Sequence, residues 1–123
     1  MNKKQMLSEF KKFCKKNKYT EEKSERLKAI LESKSNDYAS KDDVLIGFKR
    51  ASEYAKGLLS PVNIIHALIC VKLSRIENLS KVKAVHNESL RDSEDDLDLY
   101  IFLLDCVLLE KKKELTYESE TIN

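Results

Sequence analysis

A chain of 123 residues, 41% apolar and 36% charged, has room for one buried core and must carry heavily charged outer faces. Two glycines and one proline are too few for the turns of a sheet protein of this length, which leaves a few long helices joined by short loops. The net charge of +2 does not by itself suggest nucleic acid, and no apolar run is long enough to span a bilayer or has signal-peptide form, so a cytoplasmic protein with no membrane partner is expected.

Met6, Leu7, Phe10, Phe13 and Cys14 recur at helical spacing among lysines and predict an amphipathic helix ending near Lys16. Thr20 is placed to cap a second helix with Glu21 and Glu22 in its first turn and Leu27, Ile30 and Leu31 as its stripe, stopping around Lys34. The next six residues, SNDYAS, favour bonds to their own backbone and read as a loop. Ser40 and Asp43 form a relaxed capping box ahead of Val44, Leu45, Phe48 and Ala51, with Gly57 as the stop. Ser60 and Pro61 open a helix whose first three turns are mostly apolar, which predicts a central position with Lys72 and Arg75 emerging where burial ends.

After the polar connection SKVKAVHN, Ser89 with Asp92 makes a second capping box for the last helix, and Leu97, Ile101, Leu104 and Leu108 mark its core stripe. Leu99, Phe102, Leu103 and Val107 widen that stripe and predict a second buried face, most simply against another copy in a homo-oligomer. Residues 115–123 lack periodicity and read as a flexible tail. The expected fold is all-α: one domain over 1–114, a small bundle of about five helices that dimerises. Cys14, Cys70 and Cys106 lie far apart in apolar stretches without a CxxC pairing, which predicts buried, reduced thiols.

Charge is unevenly spread. The first 18 residues hold seven lysines against Glu9, while residues 88 to 98 hold six acids (Glu88, Asp92, Glu94, Asp95, Asp96 and Asp98) against Arg91. Glu88, Asp92 and Asp96 form a row at four-residue spacing with Asp95 beside it, and like charges so placed repel. The helix dipole favours acids only in the first turn, which Asp96 has passed. Two readings stay open: a solvated acidic face, or a Mg²⁺ site built from hard oxygen ligands. Lys72 and Arg75, three apart, suit either a phosphate clamp or cations snorkelling from a buried helix. His66 reads as a core histidine, His86 lies in a loop beside the acids, and no Cys/His spacing supports zinc. The N-terminal lysines lack arginine and interleaved exposed aromatics, which argues against nucleic acid as a partner.

Three segments in order, KSNDYASKDDVLIGFKRASEY, SPVNIIHALICVKLSRIENL and NESLRDSEDDLDLYIFLLD, resemble the phage-type nucleotide-modification-associated domain family, related to the MazG-like all-α nucleoside triphosphate pyrophosphatases. The likeness covers about residues 27–110 and rests on Asp37-Tyr38, Phe48-Lys49, Lys72 with Arg75, and Asn87-Glu88-Ser89 followed by Asp92, Asp96 and Tyr100. Such a resemblance implies a dimerising helical bundle that binds a nucleotide through Mg²⁺ held by Asp92, Asp96, Glu88 and Asp37. It implies nucleotide contacts at Lys72, Arg75, Tyr38, Phe48, Lys49 and Asn87, with Tyr38 or Phe48 stacking on the base. Asp92, Asp96 and Glu88 become the catalytic acids for metal-activated water attack at the α-phosphorus, releasing a nucleoside monophosphate and pyrophosphate. Asp96 fits the last acid of the superfamily's ExxD motif, Ser93 stands three residues before it so that Asp92 takes the other role, and no ExxE pair is evident on a helix. An alternative within the same pocket is a protein that sequesters a nucleotide or nucleotide second messenger without turnover. A third is a helical interaction module.

Overall fold

The computed structural model describes the backbone of residues 1–38, 42–82 and 87–122 and the side chains of 1–35, 42–82 and 90–116. Among the described residues there are five helices and no strand: α1 (Lys3–Lys16), α2 (Glu21–Tyr38), α3 (Ile46–Tyr54), α4 (Pro61–Lys81) and α5 (Asn87–Ile122). None of them is long and apolar enough to cross a membrane.

Local chemistry accounts for most of the boundaries. Asn2 and Gln5 cap α1 reciprocally, each side-chain oxygen accepting from the other's backbone N–H at 2.9 Å. The helix ends in a Schellman arrangement: Lys18 takes a left-handed φ of 55°, Tyr19 N–H reaches back to Cys14 O at 3.1 Å, and Lys18 N–H to Lys15 O at 3.2 Å. The Thr20 hydroxyl accepts from Lys23 N–H at 3.1 Å, as a cap for α2 should. Ser60 accepts from Asn63 N–H and Pro61 occupies the first position of α4, where its missing N–H and fixed φ fit.

Three helices have boundaries that depart from the sequence expectation. α2 runs four residues beyond Lys34 to Tyr38, so Asp37 and Tyr38 lie on helical backbone and not in a loop. α3 begins at Ile46, without a side-chain cap; Asp43 instead accepts from Leu45 N–H at 3.1 Å, and the expected partner Ser40 lies outside the described residues. At its far end the left-handed position falls on Lys56 (φ 54°), one residue before Gly57 (φ 76°). α5 continues to Ile122, so the 115–123 segment expected to be a flexible tail is helical through its penultimate residue. It also begins at Asn87, and the Ser89 side chain of the expected capping box lies outside the described residues.

The core is assembled from Met6, Phe10 and Cys14 of α1, Leu27 and Leu31 of α2, Val44 and Leu45 ahead of α3, and Leu99, Phe102 and Cys106 of α5. Phe102 is the hub: its ring lies 5.1 Å from Phe10, edge to face, and 5.3 Å from Phe13. α5 touches α1, α2 and α4, and is therefore the central helix. The apolar start of α4 suggested that role for α4, but α4 buries only Ile65 and Ile69 fully and exposes His66, Cys70, Val71 and Leu73. Cys70 and His66 accordingly depart from the buried placement expected of them.

The two faces of α5 are interchanged relative to the periodicity reading. Leu99 and Phe102 are fully buried within the chain, and Leu103 and Val107 pack against the same core, so none of the four is left over for a partner. Leu97 and Leu104 are only half-buried, while Ile101 and Leu108 are exposed. Apolar residues fill so much of this helix's circumference that spacing alone could not tell which face meets the other helices.

Candidate functional site

Half of the acidic run at the start of α5 is answered by cations on α2. Arg26 grips Asp95 with two bonds, Nε to Oδ2 at 2.9 Å and Nη2 to Oδ1 at 3.2 Å, and Asp95 is only 3% exposed. Lys23 meets Asp98 at 3.0 Å, and Lys34 donates to Asp96 Oδ1 at 2.9 Å. From the opposite side Lys72 of α4 reaches Asp96 Oδ2 at 3.0 Å. Repulsion among the acids is thus relieved by an interhelical series of ion pairs. Burial works to raise the pKa of Asp96, yet the hydrogen bonds and charges of Lys34 and Lys72 outweigh it and hold the carboxyl below its ordinary range. Hydrogen bonding to Asp95 raises the Arg26 pKa further.

Beside Asp96 opens a cavity of about 450 Å³ walled by Met6, Leu31, Val44, Phe48, Leu68, Leu99 and Leu103, with Lys34, Ser35, Asp96 and Tyr100 as its polar part. Lys34 Nζ also stands 5.8 Å from the centre of the Tyr100 ring. An apolar chamber with a few convergent polar groups at one end is the usual form of a small-molecule site. Each ammonium spends one donor on Asp96 and keeps others for a ligand. Among the described residues, two cations thus share the one carboxylate at this end of the cavity.

The sequence-derived site residues divide around this cavity. Phe48 and Asp96 line it, together with Tyr100, and Lys72 reaches its rim only through the ion pair with Asp96. Arg75 and Asp92 are exposed. Lys49 faces elsewhere: it bridges Asp43 (2.7 Å) and Glu110, in a cluster that also holds the Met1 ammonium 2.6 Å from Glu110. Asp43 and Glu110 are desolvated, and Lys49 together with that ammonium nevertheless holds both carboxyls below their ordinary range. The side chains of Asp37, Tyr38, Asn87 and Glu88 lie outside the described residues, as does His86.

Among the described residues no group of three or more His, Cys, Asp or Glu side chains is arranged to hold a metal ion. Both oxygens of Asp96 are occupied by lysines, and Asp95 is committed to Arg26. The described carboxylates therefore do not form the donor set that a Mg²⁺ ion requires.

Lys34, Lys23 and Arg26 were missed in the sequence. Their signal was present: cations at 23, 26 and 34 flank the Leu27, Ile30, Leu31 stripe, so they border whichever helix α2 packs upon. A larger groove of about 660 Å³ between α1 and α2 is rimmed by Lys11, Lys15, Lys18 and Lys28 over Leu7 and Phe10. It lacks the paired, partly buried lysines seen at Asp96.

The described residues form an all-α fold with a mainly apolar chamber between its helices, whose polar end carries Lys34 and Asp96. Searches against protein-family models, curated proteins and solved structures find no match.

Proposed function

We propose that the cavity between α2, α3, α4 and α5 binds a nucleotide, and that the protein holds this ligand without turning it over. The observation carrying this reading is the placement of Lys34 and Lys72 on one carboxylate, Asp96, at the polar end of an apolar chamber that contains Phe48 and Tyr100. Phosphate oxygens take charge-assisted hydrogen bonds from the two ammonium groups, and a base finds aromatic walls to pack on. Asp96 acts as a positioning residue that keeps the two lysines together before the ligand arrives, which lowers the ordering cost of binding. The resemblance in sequence supports the same ligand class. Binding without hydrolysis is preferred over the pyrophosphatase reading because Asp96, the acid at the cavity, has each of its oxygens paired with a lysine. The binding unit is proposed to be a homo-oligomer.

A panel of ribo- and deoxyribonucleotides, with and without Mg²⁺, tested by thermal shift addresses the ligand, since a ligand bound only by the native state raises the melting temperature. Recovery of labelled nucleotide intact after release supports binding alone. Recovery as monophosphate and pyrophosphate makes the protein a hydrolase, and no shift with any nucleotide removes the reading. Lys72→Ala and Lys34→Ala should each weaken the shift.

A further inference from the structure

One face of α5 carries a second hydrophobic pattern that its own chain covers only in part. Leu90, Leu97, Leu104 and Lys111 recur every seven residues, and Glu94, Ile101, Leu108 and Leu115 do the same, the two series alternating in steps of four and three. This is the spacing that a coiled-coil seam requires. Ile101, Leu108 and Leu115 are 38%, 46% and 57% exposed, and Leu90, Leu97 and Leu104 are only half-buried. Glu94 and Lys111, the two charged members, are exposed.

We propose that this seam joins two copies of the chain, antiparallel, about a two-fold axis passing between residues 102 and 103 of α5. The proposal rests on the homo-oligomer reading and deepens it by naming the surface and the symmetry. One register completes every layer: Leu90 meets Leu115 of the second copy, Glu94 meets Lys111, Leu97 meets Leu108, and Ile101 meets Leu104. The two charges in the seam thus face each other, twice by symmetry. A parallel pairing sets Glu94 against Glu94 and Lys111 against Lys111, and like charges so placed oppose association. The antiparallel pairing also brings the acidic first half of α5 beside the basic Lys111-Lys112-Lys113 run of the other copy. The interface buries the leucine stripe and leaves the core face, with Leu99 and Phe102, undisturbed.

Light scattering and sedimentation of the full chain at micromolar concentration test association, and charge exchange tests the register. A dimer is expected; Glu94→Lys should weaken it about tenfold or more, since it creates two like-charge layers, and the double variant Glu94→Lys with Lys111→Glu should restore it. Both positions are exposed, so the variants fold. In a Cys70→Ser background, a mixture of Leu97→Cys and Leu108→Cys chains should cross-link on mild oxidation, whereas neither alone should. A monomeric wild type overturns both this interface and the homo-oligomer reading. A dimer indifferent to Glu94→Lys, or one in which Leu108→Cys cross-links to itself, overturns the antiparallel seam and leaves the homo-oligomer to another surface.

Discussion

Replacing Arg26 with alanine strands Asp95, a buried charge. Asp95 keeps only 5% of its side-chain surface in contact with solvent, and Arg26 supplies two of its hydrogen bonds along with its countercharge. Truncating one partner of a fully buried pair destabilises by about 3–5 kcal/mol, because the remaining charge is left without compensation. Arg26 itself is 29% exposed, and water entering its vacated place recovers part of the loss. The expected effect is therefore at or just below the foot of that range, about 2–3 kcal/mol. For a chain of this length that corresponds to a fall in melting temperature of roughly 8–12 °C. Urea unfolding followed by circular dichroism measures it, with the midpoint moving and the slope unchanged. Replacing both partners, Arg26→Met with Asp95→Leu, should return most of the stability, since an apolar pair of similar volume escapes the desolvation penalty. A loss below about 0.5 kcal/mol for Arg26→Ala would place the pair among ordinary surface salt bridges and refute the reasoning.

Acid should unfold the protein through its paired carboxylates. Asp96, Asp43 and Glu110 are all held below their ordinary values of 3.8 and 4.5, so the unfolded chain takes up protons before the folded one does. Their stabilisation is complete above those values and is lost as pH falls through the lower, folded ones; stability that stays level from pH 6 to pH 3 would contradict the assigned pairs. Lys18→Gly should raise stability by about 0.5–1 kcal/mol in the same urea assay, because the residue sits at a left-handed helix end where a side chain is strained. A thiol reagent should label Cys70 quickly in the native protein and reach Cys14 and Cys106 only on unfolding, Cys106 being both buried and pushed up to about 12; immediate labelling of all three would show that the core is open.

Local chemistry made much of this fold readable from the chain alone. Thr20, Ser60 and Pro61 mark helix starts because their side chains or rings act on backbone groups a few residues away, and that information is complete within one turn. The stripes Met6, Phe10, Cys14 and Leu27, Leu31 were legible too, since polar residues bound them on both sides. The acids of α5 were visible as a cluster, and Phe48, Lys72 and Asp96 as members of one pattern. Tertiary structure decided what the acids meet. Arg26 lies 69 positions from Asp95 and Lys34 lies 62 from Asp96, and no local rule says that α2, rather than water or a metal ion, stands opposite them. It likewise decided which apolar face of α5 turns inward. Leucines surround most of that helix, so the choice fell to the shape of the neighbouring surface, where Phe102 fits between Phe10 and Phe13.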